Sequence, residues 1–363
     1  MTPFDFRARA RLLFGPGEFA RLGEVAREHN ATRCLLLADQ AMVAAGYAQE
    51  AIRSLKARRM EVFAFHDFAP HPTVAMVEAA REFAAPLNCN LIAGLGGGSA
   101  LDFTKAVNVV IASGGSLRDY WGYGNVPRPL LPMIAVPTTA GAGSEALSNT
   151  AIVDPEARAH VGPVQMICGD PKIFFRTVIL DPKLTLSQPD SLTAASGYLA
   201  VSHAVETLVS TKRTPISECF SREAWRLLDA NFERVLRDPT DLDARGAMLL
   251  GSHFAGIATE TAALGPAHAC AQPLVENFKL PRGIAAALVL ARAVEWLGEP
   301  STLVRRLSRL AEAAGLPRSL RDASIPESAL PRLADEAAAQ WTGRFSSRPF
   351  DAQAALEIYD AAY

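Results

Sequence analysis

Residues able to do chemistry gather in a few short stretches of this chain. The first runs from Asn90 to Val107, NLIAGLGGGSALDFTKAV, where an apolar run ends in Gly94, Gly96, Gly97 and Gly98 before Ser99 and a segment of helical periodicity. Bare glycine lets backbone approach a ligand closely, and the free N–H groups and positive dipole end of the following helix favour a phosphate. A plain turn with Ser99 as helix N-cap is the simpler alternative, but three successive glycines exceed what a cap needs. The spacing is not the G-x-G-x-x-G of the usual Rossmann turn. A second small-residue turn, PTTAGAGSE at 137–145, offers hydroxyls and backbone donors suited to phosphate or ribose. Asp39 ends the apolar run RCLLLA. A carboxylate there accepts both hydroxyls of an adenosine ribose and repels a 2'-phosphate, which favours NAD over NADP; the position equally suits an N-cap for the segment starting at Gln40. Two such turns in one domain point to a dinucleotide.

These residues need a scaffold of alternating strands and helices. Arg11 to Phe14, Arg33 to Ala38, Val62 to Phe65, Leu91 to Ala93, Pro132 to Val136, Thr150 to Val153 and Thr177 to Leu180 read as strands. Helices are expected around Leu22 and Val25, from Gln40 to about Leu55, from Val74 to Ala85 and after Ser99, and a polar excursion between the last two strands. The pattern predicts an α/β domain built on a parallel sheet flanked by helices, with ligands at the carboxyl ends of its strands. The loop SGGSLRDYWGYGNVPRP, with Tyr120, Trp121 and Tyr123, is expected to pack on its own domain. Beyond Asp181 helical periodicity takes over, which divides the chain into a dinucleotide-binding α/β domain, 1–183, and an all-α domain, 184–363.

Composition agrees with a small-molecule partner. The 363 residues suit two domains, 49% hydrophobic content excludes a disordered chain, and a net charge of −2 from 36 basic and 38 acidic residues leaves no nucleic-acid or membrane-surface footprint. Cys34, Cys89, Cys168, Cys219 and Cys270 form no C-x-x-C pair and read as free thiols of a reducing compartment. The charged start MTPFDFRARARLLFGPG lacks the apolar core of a signal peptide, and the expected location is the cytoplasm. The segment RARLLF is a candidate edge strand for a homodimer.

Three stretches together become specific: GGGSALDFTKA, PTTAGAGSEALSNTAIVD and VILDPKLTLSQPDSLTAASGYLAVSHAVETLVS. They resemble the iron-containing, group III alcohol dehydrogenases, over nearly the whole chain, and the last is also similar to the maleylacetate reductase branch. The closing RPFDAQAALEIYDAAY is similar to the family's final helix. The resemblance implies the dehydroquinate synthase-like fold, with NAD(P) and substrate in a cleft between the domains and hydride transfer between nicotinamide and an alcohol or carbonyl carbon. It assigns Asp39 to the adenine ribose, Gly96, Gly97, Gly98 and Ser99 to the pyrophosphate, and Thr138, Thr139 and Asn149 to the nicotinamide side.

The resemblance also implies an iron or zinc site of one Asp and three His, in patterns like G-x-D-A-x-x-H-A-x-E, H-A-x-A-H-x-L and P-H-G. This chain departs from it. The first stretch reads Gly197 to Glu206 with Leu199 at the Asp position and His203 kept; the second keeps His268 but carries Gln272 at the relay His; the third has Arg282 at the last ligand. Two imidazoles without the carboxylate fall short of a catalytic zinc site, and a guanidinium repels a dication. No metal is therefore expected. Arg282 is expected to supply the electrostatic role, His203 or His268 the proton, imidazole titrating near neutral pH, with Gln272 in the site and Tyr198 a weaker candidate. Arg282 and Gln272 favour a polar or carboxylate-bearing small molecule. Two other readings of the same cleft are a nucleotide-binding protein without turnover, and a lyase or cyclase using bound NAD.

Overall fold

In a computed structural model, residues 4–157 and 164–363 are described. The chain forms two compact units. The first comprises Arg7–Thr139 and Ser144–Gln188; the second comprises the N-terminal residues through Phe6, the short segment Ala140–Gly143 and everything from Pro189 to Tyr363.

Among its described residues the first unit has nine strands and five α-helices. In chain order they are β1 (Arg11–Phe14), α1 (Leu22–Glu28), β2 (Arg33–Ala38), α2 (Gln40–Ala44), α3 (Tyr47–Ala57), β3 (Glu61–Phe65), α4 (Val74–Ala84), β4 (Leu91–Gly96), α5 (Gly98–Ser113), β5 (Gly122–Tyr123), β6 (Met133–Pro137), β7 (Asn149–Asp154), β8 (Val164–Gly169) and β9 (Thr177–Leu180). Six strands make a parallel sheet in the order β1-β9-β6-β4-β2-β3. β2 and β4 lie inside this sheet, and apart from Arg33 at the start of β2 their residues are apolar without alternation because helices cover both faces. Leu36, Ala93, Ile134, Val136 and Ile179 pack with Leu22, Val25 and Leu55 in one buried core. The chain leaves β2 toward β3 on one side and leaves β4 toward β6 on the other, so the sheet changes direction between β2 and β4. Ligands of open α/β sheets sit at the carboxyl ends of such a pair. Those ends are Asp39 and the glycine turn.

Three expectations need correction. The helix expected from Gln40 to Leu55 is two helices, broken where Gly46 adopts φ +80°. The polar excursion contains a strand, β8, paired antiparallel with β7 from Asn149↔Gly169 to Asp154↔Val164. With β5 these form a separate three-stranded sheet, so β7 does not extend the main one. The aromatic loop packs only in part: Tyr120 is buried, while Trp121 and Tyr123 are exposed.

The second unit holds eight α-helices among the described residues: α6 (Asp190–Val209), α7 (Pro215–Arg237), α8 (Leu242–Ala262), α9 (Pro266–Phe278), α10 (Arg282–Trp296), α11 (Ser301–Ala313), α12 (Leu330–Ala338) and α13 (Ala352–Ala362). Small residues set the packing of its central pair, α6 and α10. A Cβ on Gly283 would stand 1.8 Å from the Ala195 carbonyl oxygen, so only glycine lets the start of α10 lie against α6. Among the described residues no helix is long and apolar enough to cross a membrane.

Candidate functional site

The glycine turn is shaped as a cradle. Its helix begins two residues earlier than a Ser99 cap would place it: Gly97 is the N-cap, it makes no side-chain capping bond, and Ser99 lies inside the first turn. The first amides of α5 therefore have no side chain closing them off, as an anion site requires. Gly96 adopts φ +146°, and a Cβ there would stand 2.8 Å from Ala100 Cβ and 3.1 Å from Asp39 Oδ2. The Asp39 carboxylate thus leans over the turn. Its other oxygen, Oδ1, accepts the Met42 N–H at 3.0 Å, so Asp39 caps α2 and also presents an oxygen at the glycines.

The second turn stands beside the first. The Thr138 N–H donates to the Gly96 carbonyl at 3.0 Å. The Thr139 side chain stands against Gly97 and Ser144 Oγ against Gly98, each 3.2 Å from where a Cβ would be. Thr138 is buried, and its hydroxyl has no hydrogen-bond partner. Such an orphan costs free energy unless something bound supplies the partner. Uncapped amides, an oxygen-bearing rim and an orphaned hydroxyl fit a dinucleotide.

Lys105, on the buried face of α5, braces this region and was not singled out from the sequence. It is fully buried, and its ammonium donates to the Ser144 carbonyl at 2.6 Å, the Asn149 carbonyl at 2.7 Å and Asp102 Oδ1 at 3.3 Å. Both ends of the 144–149 segment thereby hang from one cation. Asn149 begins β7 and is half-buried, with its carbonyl committed to Lys105.

In the helical unit, α6, α9 and α10 bring His203, His268 and Arg282 together. His203 lies on α6 one turn after Leu199 and is 5% exposed. His268 lies in the first turn of α9, its ring centroid 6.3 Å from that of His203 and set edge-on to it. Arg282 is the first residue of α10. His203 Nδ1 is buried without a partner. Burial, then the charge of Arg282, pull the His203 pKa down to about 4, against an opposing hydrogen bond to the Ala142 backbone. Burial, then His203 and Arg282, pull His268 down to about 3. Both rings are therefore neutral at pH 7. The expectation that imidazole titrates near neutrality here is corrected: burial and a fixed cation disfavour the charged form.

Gln272 donates its amide to Glu276 Oε1 at 2.9 Å, one turn along α9. Tyr198 is no catalytic group. It is wholly buried, its hydroxyl donates to the Leu307 carbonyl at 3.2 Å, and burial pushes its pKa far up. Cys270 is buried as well, its thiol pushed up by burial.

The donor set does not suit a dication. It offers two imidazoles, a half-buried Leu199 one turn before His203, and a guanidinium that depresses both rings. Among the described residues no group of three or more His, Cys, Asp or Glu side chains is placed to hold a metal ion.

A doubly covered sheet with a phosphate cradle at its switch point, followed by a helical unit with a polar cluster, defines a dinucleotide-binding protein of the two-unit α/β–α class. The profile of "Iron-containing alcohol dehydrogenase" matches residues 9–182, and that of "Fe-containing alcohol dehydrogenase family, C-terminal" matches 193–300. The chain belongs to the iron-containing alcohol dehydrogenase family. It is 30% identical to long-chain-alcohol dehydrogenase 1 of Geobacillus thermodenitrificans over 91% of each chain. It is also 30% identical to the NAD-dependent methanol dehydrogenase of Bacillus methanolicus, over 75% of this chain and 70% of that one. The crystal structure of 1,3-propanediol oxidoreductase superposes with a TM-score of 0.93 at 26% identity, covering both chains entirely.

Proposed function

We propose that this protein is an oxidoreductase that moves a hydride between NAD(H) and the carbonyl or alcohol carbon of a small, carboxylate-bearing substrate, without a catalytic metal. Relatives described as NAD-dependent methanol dehydrogenase and 1,3-propanediol dehydrogenase support the reaction class. The observation that carries the metal-free part is Arg282, whose charge reaches both His203 and His268 while Leu199 offers no ligand.

The nicotinamide supplies or accepts the hydride. The amides at Gly97, Gly98 and Ser99 hold the pyrophosphate, Asp39 Oδ2 takes the adenine ribose and disfavours a 2'-phosphate, and the Thr138 hydroxyl finds its missing partner on the nicotinamide half. Arg282 supplies a fixed positive charge, either to an oxygen turning into alkoxide or to a carboxylate held by two parallel N–H bonds. His203 and His268 enter as neutral hydrogen-bonding groups. A negative oxygen beside them offsets Arg282 and lets an imidazole carry the proton only while substrate is bound.

The charges balance in a way that supports this reading. A divalent ion with one carboxylate ligand leaves a site charge of +1. A leucine and an arginine at the corresponding positions leave the same charge with no ion. The test is turnover of chelator-treated protein with NADH and a panel of 2-oxo acids. Activity should survive metal removal, and Arg282→Ala should lower kcat/KM by about 10²-fold. Loss of activity on chelation with recovery on adding iron or zinc would reject the metal-free reading. NAD binding without turnover on any carbonyl would leave a nucleotide-binding protein.

A further inference from the structure

The start of α9 is held by another helix. Gly265 is its N-cap and, having no side chain, caps nothing; Pro266 at the first helical position has no N–H. A capping box would use two residues of the same helix, one taking the amide of the third helical residue and the other the amide of the N-cap. Here a single carboxylate from α6 takes both. Glu206 Oε2 accepts the Gly265 N–H and the His268 N–H, each at 2.9 Å, and Oε1 accepts the Ser202 hydroxyl at 3.1 Å. Glu206 is 2% exposed and lies three residues after His203 on α6.

The turn leading into α9 is strained. Ala263 adopts φ +62° and ψ 161°, a region that residues with a Cβ occupy only when their surroundings impose it. The residue that ends α6 also reaches this turn: Ser210, its C-cap, donates its Oγ to the Ala262 carbonyl at 2.7 Å. α6 and its C-cap thus grip both sides of the connection between α8 and α9, and the same helix carries His203.

We propose that Glu206 is the positioning residue of the histidine pair: by capping α9 from α6 it fixes where His268 stands relative to His203 and Arg282. The inference rests on the reading of these three as the reactive cluster. Glu206 touches no substrate in this role; it acts through the backbone of the residue whose ring does. The role requires an acceptor at the length of a glutamate side chain and does not require its charge.

Three substitutions separate the possibilities. Glu206→Gln keeps the length, its carbonyl accepts the two amides, its NH2 group faces the Ser202 hydroxyl as donor, and it should recover most of the function. Glu206→Asp keeps the charge but falls one methylene short, and Glu206→Ala removes the acceptor. Both should lower kcat by about 10- to 100-fold, since a misplacement near 1 Å costs that much. Affinity for NAD should change by less than about twofold in all three, because the cap lies in the helical unit and the dinucleotide cradle in the other. Crystal structures and hydrogen exchange give readouts independent of turnover: in Asp and Ala variants the 6.3 Å ring separation should change, and the Gly265 and His268 amides should exchange faster, whereas Gln should match the parent. An Ala or Asp variant with unchanged ring separation and amide protection overturns the proposal, as does a Gln variant as impaired as Ala, which would assign the effect to charge. If Glu206→Ala fails to fold, the contrast between Asp and Gln decides. If the parent turns over no carbonyl, the reading of the cluster fails, while ring separation and exchange still judge the cap.

Discussion

At the scale of single residues, two roles that look like alternatives in the sequence coexist at Asp39. One carboxylate oxygen caps α2, and the other lies over the glycine turn. Asp39→Ser separates them, because a serine hydroxyl still accepts the Met42 N–H while the charge disappears. Stability should change by less than about 1 kcal/mol, the difference between good N-cap residues being small. Discrimination against NADP should fall by at least about tenfold, read as the ratio of kcat/KM values for the two cofactors. A variant that still rejects NADP as the parent does would remove Asp39 from cofactor choice. The residue scale also shows what spacing conveys. His203, His268 and Arg282 were legible because each departs from or keeps a ligand position in a recognisable pattern. Glu206 stood in the same pattern and carried no signal of its work, since the partners of a buried carboxylate are amides remote in sequence. The acidity of the two imidazoles was equally hidden, because burial and the reach of Arg282 are properties of packing.

At the scale of elements, strands with unbroken apolar runs were legible because burial on both faces leaves only one kind of residue there. β8 was not. It belongs to a small mixed sheet, parallel to β5 and antiparallel to β7, apart from the main one, and a six-residue strand is too short to show a clear period. That small sheet is tied to the segment after α5 by Arg118, which donates to both oxygens of Asp154 on β7, at 2.7 and 2.8 Å. Asp154 is 2% exposed, and the hydrogen bonds from Arg118 hold its pKa below the usual carboxylate range despite burial. A folded-state pKa lower than the unfolded value means the pair stabilises the fold above the unfolded value, near 3.9. The contribution is lost as pH falls through the still lower folded value. Asp154→Asn should therefore be less stable than the parent at pH 7 in urea unfolding, and the gap should close as pH drops below about 4. A gap independent of pH would show that shape and hydrogen bonding, and not ionisation, carry the contribution.

At the scale of the molecule, the chain passes between its two units four times, at 6/7, 139/140, 143/144 and 188/189. The turn at 137–145 illustrates the consequence: Thr138 and Thr139 belong to the sheet unit, the next four residues to the helical unit, and Ser144 again to the sheet unit. A unit stitched in this way cannot unfold without pulling on segments of the other, so the two should open in one cooperative transition despite their separate cores. The cysteines provide the measurement. Cys219 is exposed and Cys89 half-buried, whereas Cys34 and Cys168 are buried in the sheet unit and Cys270 in the helical unit, with burial raising the pKa of all three buried thiols. A thiol reagent acts on the thiolate, so native protein should label fast at Cys219, more slowly at Cys89, and at the other three only through unfolding. Cys34, Cys168 and Cys270 should then share one rate, and saturating NAD should slow all three by the same factor, because a ligand of the folded state stabilises every part that opens with its site. Faster labelling of Cys270, or protection by NAD confined to Cys34 and Cys168, would show that the helical unit opens alone and that four crossings do not suffice to couple the two.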